Sequence, residues 1–154
     1  MDFSLTTEQL ELRRMLRDVT ADHCSSARLR EVIATPSAED TNLWRLLTQE
    51  LGLMGVAVPE EAGGLGGSFV DAAVVIEEAG RGLWPTPIVT SLAAVSAIGR
   101  TEGVADVLAE LVGGEHRAAV VAGDGVTVST ARLTGEVDQV IGAQDADRLV
   151  VATG

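Results

Sequence analysis

The segment LGLMGVAVPEEAGGLGGSFVDAAVVIEEAGR, from Leu51 to Arg81, constrains the fold more than any other part of the chain. Pro59 fixes its own φ and pushes Val58 out of the helical basin, so a helix entering this segment must end, near Gly55. Gly63, Gly64, Gly66 and Gly67 then admit backbone angles that a Cβ resists. Ser68 is placed to cap a second helix, on which Val70, Val74, Val75 and Glu78 recur at helical spacing until Gly80. These residues predict two helices joined through a rigid proline-and-glycine corner.

Upstream, Thr6 and Gln9 stand at capping-box spacing. Leu12, Met15, Leu16 and Val19 fall on one face of the helix that follows. A shorter helix over residues 26–34 stops near Pro36. A third, from about Glu39 to Gly52, carries Leu43, Trp44, Leu46, Leu47 and Leu51. Downstream of the corner, Gly82 to Gly99 holds no charged residue. Pro85 and Pro87 shorten the helix it can form to about a dozen residues, which predicts a fully buried helix rather than a membrane span. Thr101–Leu111 reads as a last amphipathic helix with Val104, Val107, Leu108 and Leu111 inward, closed by Gly113 and Gly114.

After Gly114 the period changes. Ala118–Ala122 and Leu149–Ala152 are short apolar runs, Val126–Thr130 alternates, and Asp124-Gly125 is a hairpin-type turn. The reading is mainly α: a bundle of about six helices over residues 1–114, then an incomplete antiparallel β-domain over 115–154. A few strands cannot bury two faces alone, so the sheet reads as unfinished.

With 46% hydrophobic residues the chain can bury a real core. A formal charge of −12 and only four aromatic residues disfavour nucleic acid as a partner. All 11 basic residues are Arg, so neither Schiff-base chemistry nor the lysine of a phosphate-binding loop is available. Cys24 stands alone and no Cys/His spacing resembles a zinc site. The opening MDFSLTTEQLELRR carries acids and no apolar core, so it does not read as a signal peptide, and a cytoplasmic protein is expected.

The pairs Glu60-Glu61 and Glu77-Glu78 invite acid–base chemistry, but neighbours on a helix do not face each other. Glu77-Glu78 reads as a solvated face or a local ion pair with Arg81. His23 and His116 lack companions in sequence, and Cys24 reads as a packed thiol. Gly64-Leu65-Gly66 is followed by Phe69 where a dinucleotide fingerprint needs its third glycine, and no strand precedes it. Trp44 and Trp84 read as core anchors.

The corner, with the EEAGR that ends the following helix, resembles the N-terminal domain of the acyl-CoA dehydrogenase family. The resemblance extends more loosely along the whole chain. It implies an N-terminal part of an FAD-dependent enzyme that catalyses α,β-dehydrogenation of an acyl-CoA. In that family a glutamate takes the α-proton, the flavin accepts the β-hydride, and electrons leave to an electron-transferring flavoprotein, usually within an oligomer. The family helix at the position of Ile88, Leu92 and Val95 lines the acyl slot, which makes these three the expected substrate-binding residues. The family base lies in a C-terminal bundle, so no catalytic residue is assigned within this chain. The flavin motif T-E-P-x-x-G-S-D has no counterpart in Val120–Val126, and Thr134–Ile141 keeps the glycine of N-G-x-K-x-W-I-T while losing its Lys, Trp and Thr. No cofactor-binding residue is therefore matched. Two alternatives stay open: the front part of a catalytic dehydrogenase, or a degenerate, non-catalytic subunit that scaffolds or completes a partner's site. A weaker third reading is an unrelated helical binding module.

Overall fold

The computed structural model describes residues 4–99, 101–123, 125–130 and 132–152. Six α-helices lead into short strands, in the order α1 (Thr7–His23), α2 (Ser26–Ile33), α3 (Thr41–Arg45), α4 (Phe69–Arg81), α5 (Ile88–Ile98), α6 (Ala105–Val112), β1 (Ala118–Ala122), β2 (Val126–Ser129), β3 (Arg132–Gly135) and β4 (Arg148–Ala152). The start signals act as expected. Thr6 and Gln9 close a capping box on α1, and Ser68 and Asp71 close another on α4. Asp40 caps α3: its Oδ1 accepts from the backbone N–H of Asn42 and Leu43. On α1, Leu16 is the buried residue, whereas Met15 is 36% exposed and does not join the inward face.

The third helix departs from a regular α-helix. From Leu46 to Glu50 it widens into a π turn, with the Leu51 N–H bonded to the Leu46 carbonyl. Two side-chain contacts span this stretch, the second at the wider spacing of five residues. The Thr48 hydroxyl donates to the Trp44 carbonyl, and Arg45 pairs with Glu50, five residues on, at 2.8 Å. Gly52 then ends the run in the left-handed region (φ 65°), earlier than the proline alone implied.

The corner is a folded-back loop whose backbone groups satisfy one another. Leu65 donates to the Gly55 carbonyl, Gly66 to that of Val58 and Gly67 to that of Val56, at 2.8–3.0 Å. Single turns at Leu53–Gly55 and Glu60–Ala62 are its only helical pieces. Val56, Val58, Leu53 and Met54 point inward and join the core built around Leu16, Leu43, Trp44, Leu47, Val75, Leu92 and Leu111. Val70 and Val107, expected inward, are 47% and 37% exposed; the buried faces turn on Ala72, Val75 and Ala79 in α4 and on Leu108 and Leu111 in α6.

The helix from Ile88 to Ile98 is not buried on all sides. Ile88, Ser91, Leu92, Ala94 and Val95 face the core, while Val89, Ala93, Ser96 and Ala97 are exposed. Uniformly apolar composition carries no periodic signal, so the sequence could not say which side faces outward. The strands form two separate pairs. β2 and β3 make an antiparallel hairpin, and β1 pairs with β4 in parallel, joined across residues 123–147, a connection long enough for a parallel crossover. The expected Asp124-Gly125 turn lies partly outside the described residues; the β2–β3 hairpin is joined between Ser129 and Arg132. No helix among the described residues is long and apolar enough to cross a membrane.

Candidate functional site

Where the corner meets α5, the two elements leave a cleft of about 290 Å3. Met54, Ala57, Val58 and Pro59 form one wall, Leu92, Val95, Ser96 and Gly99 the other, and Gly67, Ser68 and Phe69 the rim. The corner holds its wall in place because Pro59 and the glycine backbone bonds leave it few alternative conformations. The helix holds the other through its buried face. Ser91 fixes that face to the sheet: its hydroxyl accepts from the Ala118 N–H at 3.0 Å and donates to the Ala118 carbonyl at 3.3 Å. Among the described residues the cleft lining contains no charged side chain. Such a surface selects by shape and apolar area and offers no group for proton transfer.

The three expected substrate residues separate here. Leu92 and Val95 border the cleft, each 2% exposed. Ile88, fully buried at the start of α5, is not part of the lining and belongs to the core cluster.

The titratable clusters lie elsewhere. Glu78 is fully buried, with its Oε1 accepting from Arg17 Nε at 3.1 Å and its Oε2 from Arg81 Nε at 2.7 Å. Burial by itself would raise its pKa, but the hydrogen bonds and charges of Arg17 and Arg81 outweigh it and hold the carboxyl below its ordinary value. The Arg81 pair was legible in sequence; the burial and the Arg17 partner were not, because Arg17 lies 61 positions away. Glu78 therefore stays an ionised clamp between α1 and α4. Asp40, similarly, is opposed by its own desolvation yet held low by the Leu43 amide and Arg28. Burial, then the nearby Asp40 charge, push the Cys24 thiol up, which suits a packed residue. His116 does have companions: its Nε2 lies 3.2 Å from Arg148 Nη2 and 3.5 Å from Glu110 Oε2. No group of three metal-ligating side chains occurs among the described residues.

A second apolar groove, of about 480 Å3, separates the hairpin from the parallel pair. Thr134 is the single polar side chain among Val121, Val126, Leu133, Val137, Val140, Leu149 and the rest of its lining. A flavin dinucleotide needs donors for a pyrophosphate and for the polar edge of its ring. Among the described residues this lining does not supply them, so this groove by itself does not fit FAD.

Residues 6–115 match the family model described as the N-terminal domain of acyl-CoA dehydrogenase. The acyl-CoA dehydrogenase IpdE2 of Mycobacterium tuberculosis is 33% identical over 147 residues, covering 95% of this chain and 42% of that protein. The protein of the same name from Mycolicibacterium smegmatis is 42% identical over 99 residues, covering 60% of this chain and 32% of its own. Among solved structures, a variant of the Tcur3481–Tcur3483 steroid ACAD superposes with a TM-score of 0.83 at 35% identity, over 94% of this chain and 44% of that one. The ChsE4–ChsE5 complex of Mycobacterium tuberculosis superposes with a TM-score of 0.84 at 26% identity, over 97% and 44%. The chain spans less than half the length of each of these relatives.

Proposed function

We propose that this chain, which belongs to the acyl-CoA dehydrogenase family, supplies the helical wall of a chamber in which an acyl-CoA thioester is dehydrogenated between Cα and Cβ. In this reading residues 1–114 are the helical domain and 115–154 the beginning of the central β-domain. The observation that carries it is the cleft between the corner and α5, mainly apolar, uncharged among the described residues and open at the Phe69 rim. An acyl group entering it gains from burial against Leu92 and Val95, while Ile88 belongs to the core cluster. Among the described residues no carboxylate borders the cleft, and Glu78 is committed to two arginines, so the role read for this chain is to bind and orient the acyl group. In this reading the base and FAD belong to the rest of the dehydrogenase, and electron-transferring flavoprotein is the acceptor for that assembly.

A second reading has its own support. The two superposing structures are named as two-component assemblies, and the described lining of the apolar groove between the hairpin and the parallel pair lacks a donor set for FAD. On that reading the chain is a non-catalytic subunit that completes the site of a catalytic partner. Two measurements test these assignments. Octanoyl-CoA should bind the purified chain more tightly than free CoA, and Ser96→Trp, at an exposed position on the cleft wall, should weaken the acyl-dependent part at least tenfold. Equal binding of octanoyl-CoA and CoA would remove the acyl role. Incubation with FAD followed by desalting should leave no flavin absorbance on the chain; retained flavin would favour the catalytic reading over the completing subunit.

A further inference from the structure

We propose that His116 is a proton-operated selector between the helices and the strands. Uncharged, it helps hold Arg148, at the start of β4, against Glu110 on α6; charged, it takes Glu110 for itself and releases Arg148. The geometry fixes where the ring hydrogen stands. Arg148 Nη2 lies 3.0 Å from Glu110 Oε2 and 3.2 Å from His116 Nε2. A guanidinium offers donors and no acceptor, so in a hydrogen bond with Arg148 the imidazole Nε2 accepts and carries no hydrogen. The hydrogen of the neutral ring is then on Nδ1, on the side of Asp147, whose Oδ2 is 4.0 Å away.

The charged groups around the ring decide what a second proton does. From α6, Glu110 presents Oε2 at 3.5 Å from Nε2. Glu115 and Arg117 flank His116 in sequence, and Arg117 is committed to Glu39 and, through its N–H, to Asp147. From the start of β4 come Asp147 and Arg148. A proton on Nε2 removes the acceptor that Arg148 uses and sets two cations against one Glu110 oxygen. The shorter imidazolium, 31% exposed, keeps that oxygen, while the longer Arg148, 42% exposed, turns to water. The effect reaches the sheet because Arg148 pairs with Ala118 of β1 and its N–H donates to the Arg117 carbonyl. Histidine is the side chain whose ordinary charge change falls between about pH 5 and 8, so mild acid operates the exchange.

The test is NMR on the chain at about pH 7.5 and about pH 5.5, a window above the ordinary carboxylate range. Long-range 1H–15N spectra at the higher pH should place the His116 hydrogen on Nδ1. A hydrogen on Nε2 would overturn the assignment, and that reading needs no variant. Amide exchange at Leu149, Val150 and Val151, corrected for its intrinsic pH dependence, should be about fivefold faster at the lower pH. His116→Gln offers an acceptor at every pH and should keep β4 exchange slow at both. His116→Lys, a cation at both, should make it fast at both. His23→Gln, at the other histidine, on α1, should leave the wild-type response in place. The same pH response in wild type and His116→Gln would overturn the selector. So would equal acceleration in the Gln and Lys variants, the mark of a ring that only fills space.

Discussion

Glu78 shows what one residue does in this fold. A lone buried carboxylate would be strongly disfavoured, but two guanidinium groups bond to it from different elements, Arg17 on α1 and Arg81 one turn further along α4. Arg13 adds a longer contact at 3.8 Å. Glu78→Gln keeps the shape and removes the charge, setting amide hydrogens against arginine donors. Because Arg17 and Arg81 are about half exposed and can turn to water, the cost should be about 2 kcal/mol, read from urea unfolding. The pH dependence follows from the depressed pKa. The unfolded carboxyl titrates near 4.5, so the contribution is complete above that pH and is lost as pH falls through the lower folded value. Acid titration of the helical signal should show wild type losing stability below about pH 4.5, with Glu78→Gln losing less over the same range.

At the scale of elements, the corner decides the geometry of the cleft, and its glycines are not equivalent. Gly63 takes φ 83° with open space where a Cβ would stand, so Gly63→Ala should cost only the left-handed penalty, about 1–2 kcal/mol. At Gly64 a Cβ would collide with the Val58 backbone carbonyl, the group that anchors Gly66. Gly64→Ala must therefore open the fold-back itself and should be the more destabilising of the two, with thermal unfolding of the paired variants as the measure. A larger loss at Gly63 would mean that the corner is held by torsion rather than by close backbone packing. The π turn before it was not legible in sequence. Thr48 and Arg45 look like ordinary helix residues until Trp44, Glu50 and Gly114 are in place around them.

Across the whole molecule, Arg117 fastens the strands to the helices. Its Nε and Nη2 donate to Glu39 Oε1 at 2.9 and 2.7 Å, its N–H donates to Asp147 at 2.9 Å, and its guanidinium lies 5.4 Å from the Trp44 ring. Its carbonyl accepts from the N–H of Asp147 and Arg148, which sets where β4 begins beside β1. Trp44 completes the clasp by donating its indole N–H to the Gly114 carbonyl. Arg117→Ala should leave the helical core cooperative while amide exchange in β1 and β4 accelerates about tenfold. Uniform acceleration through α4 and α5 would instead make the two parts one cooperative unit. None of these partners lies near Arg117 in sequence apart from Gly114, and a chain with 11 arginines gives no sign of which one will serve.

Local chemistry determined much of this protein. Capping residues, Pro59 and the glycines specified where helices begin, where the chain turns and that the corner is neither helix nor strand, because those preferences act over a few bonds. The apolar runs 118–122 and 149–152 likewise declared themselves as strands. Only the tertiary structure decided which face of the uncharged α5 turns inward, that β1 and β4 run parallel, that Glu78 is buried between two arginines, and that Leu92 and Val95 border the cleft while Ile88 belongs to the core cluster. Those outcomes depend on partners tens of residues apart, whose meeting is fixed by packing and not by any pattern along the chain.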